Sequence, residues 1–409
     1  MTAPETGFEI RREAGDSVPD WTTLAEEEQF LNDVQQLAPS LVEVAIIGTS
    51  TQDRPLRSVR VGSPSTKPTY LIEATIHGNE PAPREGALQF VRNLVVSSPA
   101  WLDDAAVIVI PTSNPDGRVA NTRNDSTGVD LNRRFARLDR PEARAITREI
   151  VDFSPVLAAS LHEIPATRSN DVEVLWALNT EADTTQLTEG HHIATEVWQP
   201  AFTAEGVSNT VYSEGLSRSN ANPREWAALY SSVALLLETT GADSDNRPRQ
   251  VRVDNQQLGL DVLLDYFVAN LISLSNMQQN AIAAQIAEGH EPTRPFDMQT
   301  TEALDPAPVG YLLDAQQMQD ASDLFAATDL GSYKSSGGTV VPMGQRARGM
   351  IPFMLDGESS LTAAPPPIVS ATRLLSLPLP LRFARRGGQA LPLDSHVVRD
   401  GQLVPAGAS

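Results

Sequence analysis

Cysteine is absent from this chain of 409 residues. Disulfides are therefore excluded, as is a structural metal site built from thiolates, and the redox compartment is left open. Basic residues are in short supply: 31 Lys and Arg face 52 Asp and Glu, for a net charge of −21. No basic stripe interrupts this acidic background, so nucleic acid is not an expected partner. An anionic small substrate stays possible, because a local group of arginines overrides the mean field. Long apolar runs are missing too, and none approaches the roughly 20 residues that span a bilayer. Residues 1–7 lack the basic and apolar stretches of a signal peptide. The expectation is a cytoplasmic protein without membrane association. Histidine is scarce, with six residues at 77, 162, 191, 192, 290 and 396.

The apolar content of 41% supports a large core, and the length is that of about two or three domains. Helices are expected over 22–37, 84–96, 141–151, 188–198 and 258–277. Apolar runs at 41–48, 69–76, 106–110, 156–161 and 233–237 read as strands. Residues 111–130 read as a Pro/Asn/Asp/Gly-rich loop. Alternating strands and helices imply an α/β fold, a mixed, mostly parallel twisted sheet with helices on both faces. After about residue 290 the texture becomes Pro- and Gly-rich, so residues 1–290 are expected to form a catalytic domain and 291–409 a smaller accessory region. No internal repeat is present.

Two histidines stand at the ends of apolar strands. His77 opens His77-Gly78-Asn79-Glu80, and His162 closes the run before Glu163. Two imidazoles and a carboxylate form the open three-ligand set of a catalytic zinc. Taken singly, each has a plainer reading, as a surface His-Glu pair or a satisfied structural histidine. His191 and His192 point to different faces of one helix and cannot clamp one ion together. His290 and His396 lack partners at ligand spacing. Between the candidate ligands lie Asn114-Pro115-Asp116-Gly117 and Gly128-Val129-Asp130-Leu131-Asn132-Arg133. The first is a strong turn signal. The loop also carries Arg118, Arg123, Arg133 and Arg134, and arginine is suited to gripping a carboxylate through two parallel hydrogen bonds. Zinc ligands beside carboxylate-binding groups point to hydrolysis of an amide.

As a set, His77-x-x-Glu80, the Asn-Pro-Asp-Gly turn, Asp130-Leu131-Asn132-Arg133 and His162 resemble the zinc carboxypeptidase family typified by carboxypeptidase A, over about residues 65–245. The resemblance implies one zinc per chain held by His77, Glu80 and His162. It implies that Asn132 and Arg133 bind the free carboxylate of a peptide substrate, and that Arg123 polarises the scissile carbonyl, with Arg118 as a rival. Asp130 would support a ligand or the loop. Glu238, closing the strand Leu235-Leu236-Leu237, matches the catalytic glutamate, and Tyr212, rather than Tyr230, the tyrosine that closes over substrate.

The chain also departs from the digestive carboxypeptidases. Glu163 follows His162 where those enzymes have a small hydroxyl residue, which is similar to deacylase branches such as succinylglutamate desuccinylase and aspartoacylase. The segment 217–224, which would line the side-chain pocket, is polar and contains Arg218 and Arg224. Arg218 is taken as a substrate-binding residue that prefers a polar or acidic side chain. The leading expectation is thus a zinc-dependent carboxypeptidase-like hydrolase. The alternatives are a zinc deacylase acting on N-acyl amino acids and a metal-free protein that binds carboxylates.

Overall fold

The computed structural model describes residues 3–14, 20–212, 221–242, 247–299, 303–357, 369–378, 396–399 and 402–405. Its centre is an eight-stranded sheet of β1 (Val42–Thr49), β2 (Pro55–Val61), β3 (Thr69–Ala74), β4 (Ala106–Ile110), β5 (Leu157–Pro165), β6 (Val172–Trp176), β7 (Asn209–Val211) and β8 (Val233–Ala242). The strand order is β1-β2-β4-β3-β5-β8-β6-β7. The four middle strands, β4-β3-β5-β8, run parallel. Both β1 and β2 are antiparallel additions on one side, and β6 is antiparallel to β8 on the other. Every residue of β3 and β4 is buried, as parallel strands covered on both faces require.

The helices of this part are α1 (Gly7–Glu13), α2 (Leu24–Leu37), α3 (Ala82–Ser97), α4 (Pro115–Ala120), α5 (Pro141–Phe153), α6 (Thr184–His192), α7 (Gln199–Ala204), α8 (Pro223–Leu229), α9 (Arg249–Ala269) and α10 (Leu271–His290). One π-helical stretch, Ile193–Trp198, joins α6 to α7. Side chains alternate along a strand, so each strand feeds two cores. Tyr70, Ile72, Val107, Val109, Leu235 and Leu237 pack with α2, α3 and α9. Leu71, Ile108, Ile110, Ala158 and Ala234 face the other way, toward α5 and α8. The expected mixed α/β sheet with helices on both faces is the observed architecture.

Three local expectations change. Strands β5 and β8 do not stop at His162 and Glu238; they run on to Pro165 and Ala242. Their far halves stay paired with each other, and α9 ties them further: Gln256 Nε2 donates to His162 O at 2.9 Å and to Thr239 Oγ1 at 3.0 Å. Helix 258–277 is two helices, α9 and α10, which meet at 80° around Asn270. Leu260, Leu263 and Phe267 of α9 lie in the sheet core, whereas Gln278 of α10 donates to Ser154 O and Pro155 O. A straight helix would not reach both. The loop at 111–130 contains α4, capped by Asn114. No single described helix is long and apolar enough to cross a membrane.

Beyond α10, a four-stranded antiparallel sheet of β9 (Gly310–Leu313), β10 (Tyr333–Ser335), β11 (Gly338–Pro342) and β12 (Thr372–Leu374) has the order β10-β11-β9-β12. It is not a detached module. Tyr311, Leu313, Phe353 and Leu355 share one core with Trp226 and Leu229 of α8. A buried ionic knot reinforces the junction. The Glu181 carboxylate, fully enclosed, accepts from Arg294 Nη1 at 2.6 Å and from Arg348 Nη1 at 2.8 Å. Arg348 is itself buried.

Removing one partner of such a pair leaves an uncompensated buried charge. Glu181→Ala is expected to lower the free energy of unfolding by about 3–5 kcal/mol, read by urea denaturation. A loss below about 1 kcal/mol would show the knot to be no stronger than a surface pair.

Candidate active site

The site forms where β3 and β4 end. Ser113 N donates to Ala74 O at 3.0 Å and Asn114 N to Thr75 O at 3.1 Å, which ties the two strand ends together. Thr75 is held at φ +56, an uncommon conformation for a β-branched residue. From there the chain turns tightly, with Glu80 N donating to His77 O at 3.1 Å, and enters α3. Asn114 fastens this turn from outside. Its Oδ1 accepts from Gly117 N at 2.8 Å, and its Nδ2 donates to Ile76 O at 3.1 Å and Arg123 O at 3.3 Å.

Glu80 then meets both imidazoles. His77 Nδ1 lies 2.6 Å from Glu80 Oε1, and His162 Nδ1 lies 2.9 Å from Glu80 Oε2. One ligand atom from each of the three residues lies within 4.8 Å of the others. All three side chains are buried. Burial disfavours the Glu80 carboxylate, but the His77 and His162 imidazoles outweigh it and hold its pKa well below the usual carboxylate range. Burial likewise opposes a charged His77, and Glu80 and Asp130 outweigh that, so its pKa is raised. Two nitrogens and a carboxylate, each on the same point in space, fit the donor set of a catalytic zinc. The outer partner fits as well: His77 Nε2 lies 3.3 Å from Asp130 Oδ1, the carboxylate support common behind metal-bound imidazoles.

The other expected residues line the same cleft, of about 160 Å³. Arg123 and Asn132, Arg133 and Tyr212 are among its walls. Arg123 is aimed by Asp130, whose Oδ2 accepts from Nε at 3.2 Å and Nη2 at 3.0 Å, and its Nη1 lies 3.6 Å from Glu80 Oε1. Its rival Arg118 points elsewhere, donating to Gly78 O at 2.7 Å; burial lowers its pKa to about 10. Asp130 also accepts from Asn132 N at 2.9 Å, and Asn132 Oδ1 is buried without a protein partner. Tyr212 follows β7, donates its N–H to Val174 O, and has the Arg168 guanidinium 5.7 Å over its ring. Tyr230 ends α8 beneath Arg346, away from the cleft. Arg218 lies outside the described residues.

Glu238 sits beside His162 because β5 and β8 are in register there. It is 8% exposed, and its Oε2 is buried without a protein partner. Burial pushes its pKa up to about 8; Glu80 and Glu173 push the same way while His162 opposes. Glu163, whose place after His162 is the departure noted in the sequence, also lines the cleft. Its carboxylate accepts from Arg252 Nε at 2.6 Å and from Ala82 N at 2.9 Å, fastening the start of α3 to α9. Asn222 and Arg224, in the segment 217–224 expected to line the side-chain pocket, are also among the walls of the cleft. The signal that places them is local: Asn222 caps α8, accepting from Glu225 N at 2.9 Å, with Pro223 next.

Two imidazoles and a carboxylate that could hold a metal ion thus converge on a mixed α/β sheet of carboxypeptidase-like fold. The comparisons with known proteins agree. Residues 27–162 match the family model described as zinc carboxypeptidase. The chain is similar to carboxypeptidase 2 of Trichophyton rubrum, 32% identical over 117 residues, which covers 27% of this chain and 22% of that protein. It is similar to carboxypeptidase E of Caenorhabditis elegans, 28% identical over 139 residues, covering 28% and 29%. The aligned part thus spans less than a third of either relative. Among solved structures, carboxypeptidase A of Helicoverpa armigera superposes with a TM-score of 0.51 at 15% identity over 64% of this chain and 79% of that one. Bovine thrombin-activatable fibrinolysis inhibitor gives 0.51 at 16% over 61% and 98%. The match to the zinc carboxypeptidase family is confined to residues 27–162, about a third of the chain. That stretch ends at His162, so Tyr212 and Glu238 join the site through the fold alone.

Two outcomes follow from this geometry. Asp130→Asn is expected to weaken zinc affinity about 10- to 100-fold, measured by chelator competition; unchanged affinity would remove Asp130 from the support of His77. Asp116 concerns stability. Its fully buried side chain accepts from Ser50 Oγ at 2.7 Å, Arg54 Nη1 at 2.6 Å and Ser126 Oγ at 2.9 Å. Burial would raise its pKa, but these bonds outweigh it and lower it. A depressed folded pKa gives stability that is present above the unfolded value near 3.9 and lost as pH falls through the folded one. The stability gap between wild type and Asp116→Ala should be full near neutrality and shrink below about pH 4. A gap that widened on acidification would contradict this.

Proposed function

We propose that this protein is a zinc-dependent, metallocarboxypeptidase-like hydrolase that cleaves a C-terminal peptide or peptide-like amide, with one zinc per chain. The observation that supports the reading most is the convergence of His77, Glu80 and His162 with Glu238, Arg123, Asn132 and Arg133 on one cleft. Zinc held by His77, Glu80 and His162 would supply Lewis-acid polarisation of the scissile carbonyl and a lowered pKa for neighbouring water.

The chain's own groups account for the rest. Asn132 and Arg133 grip the free carboxylate and so set which amide lies over the reacting groups. Arg123 donates to the carbonyl oxygen as it gains charge, a contribution of about 3–4 kcal/mol for a well-placed donor. Glu238 accepts a proton from the attacking water and returns it to the departing nitrogen, as base and then acid. Tyr212, at the cleft wall, covers the bound substrate. Glu163 holds α3 against α9, and its backbone N–H donates to Glu80 Oε2 at 3.1 Å, which helps to keep Glu80 in place.

The test is a mass-spectrometric cleavage screen of the zinc-loaded protein against peptides with free C-termini, their C-terminal amides, and N-acyl amino acids. Release of one terminal residue from the free acids alone is the expected result. Cleavage confined to N-acyl amino acids would transfer the protein to the deacylase class, and absence of all cleavage would end the hydrolase reading. In the same assay Glu238→Gln should keep its zinc and lose about 10²- to 10⁴-fold in kcat. Wild-type turnover by that variant would remove Glu238 as the base.

A further inference from the structure

The cleft contains one more cation than the proposed reaction uses. Arg133 has a terminal carboxylate to bind and Arg123 a developing oxyanion, yet Arg224 also lines the cleft while only 7% exposed. Its fork is fixed: Nε and Nη2 donate to Glu225 Oε1 at 3.1 Å and 2.7 Å. Glu225 is in turn held by the N–H groups of Leu178 and Asn179. That arrangement uses two of the three guanidinium nitrogens and leaves Nη1 as the donor available to a ligand. A guanidinium held in one rotamer loses little entropy on binding a carboxylate.

Arg224 is also on the correct side of the cleft to read a side chain. Phe135 N donates to Ala221 O at 3.2 Å, so the turn bearing Asn132 and Arg133 is stitched to the turn that leads into α8. A residue whose terminal carboxylate is on Arg133 thus has the start of α8 as its neighbouring wall. Past Arg224 and Ser160 the space closes to a void of about 10 Å³ against Leu71 and Ile146. This is about one water molecule, far too little for an aromatic ring. One oxygen of the Glu73 carboxylate at that void, Oε2, accepts from the Ser160 hydroxyl at 2.8 Å, and Oε1 is buried without a hydrogen-bond partner.

We propose that Arg224 is the side-chain specificity residue of this cleft and selects substrates whose terminal residue carries a second carboxylate, as in aspartate or glutamate. The inference rests on the hydrolase reading above. It differs from an Arg218-based preference in resting on a buried residue whose partners are defined.

The experiment measures kcat/KM of the full-length, zinc-loaded enzyme on N-acyl dipeptides ending in Asp, Glu, Ala, Leu, Phe or Lys. Wild type should favour Glu or Asp over Leu by at least about tenfold, the scale of a charge-assisted hydrogen bond. Arg224→Gln should collapse that ratio through a raised KM for the acidic substrates, and Arg224→Lys should keep part of it. Equal use of Leu and Glu by wild type overturns the proposal. So does an Arg224→Gln variant in which all substrates fall in proportion, because that is the behaviour of a mere clamp for Glu225. If no dipeptide is cleaved the hydrolase reading fails, and calorimetry still decides the subsite: N-acetylglutamate should bind wild type more tightly than N-acetylleucine, and Arg224→Gln should abolish the difference. Equal binding would refute the subsite on its own.

Discussion

Gly78 and Gly117 lie back to back, and the site depends on that contact. A methyl group on Gly78 would stand 1.9 Å from the carbonyl carbon of Gly117 and 2.2 Å from Arg118 N. No side chain fits between two backbones at this distance. Because the backbones touch, Asn114 reaches Ile76 O and Arg118 reaches Gly78 O. The His77 turn and the Asn-Pro-Asp-Gly turn are therefore one folded unit, although more than thirty residues separate them in the chain. The unusual conformation of Thr75 persists because bonds on both sides over-determine it.

The electrostatics of the cleft separate two carboxylates that differ little in sequence. Glu80 faces two imidazoles, and they hold it ionised despite its burial. At Glu238 burial prevails and the pKa rises: His162 and Arg123 oppose it, but Glu80 and Glu173 push the same way as burial. Two acids pushed in opposite directions are the usual arrangement when one binds a cation and the other moves a proton. The chain as a whole is strongly acidic, yet Arg123, Arg133 and Arg224 all line this cleft. They stand there beside Glu80, Glu163 and Glu238, so local geometry sets a balance of charge different from the chain's mean.

Much of this was legible in the sequence where a pattern is short and local. The apolar runs before His77, His162 and Glu238 marked the central parallel strands, and a parallel sheet delivers the residues at its strand ends to one edge. Where pairing is long-range, the pattern was silent. Strand β2 alternates arginines with apolar residues and gains its stability from β1 and β4. The bend at Asn270 has no proline or glycine to announce it; its cause is the pair of surfaces that α9 and α10 must reach. Glu163 stood out only as a departure by position, and its buried partner Arg252, 89 residues away, could not be read from the sequence.

What the sequence determined by itself is the chemistry on offer: two histidines that follow apolar runs, a glutamate three residues after the first, a loop of arginines, and a late glutamate on an apolar strand. These follow from periodicity and spacing, which are properties of near neighbours. Tertiary structure alone decided which groups act on the same point. It aims the Arg123 guanidinium into the cleft through Asp130, whereas Arg118 donates to Gly78 O. It set Glu238 beside His162 through strand register, and it buried Arg224 in the cleft wall through Glu225. Each outcome depends on contacts between residues far apart in the chain, and those exist only once the sheet has closed.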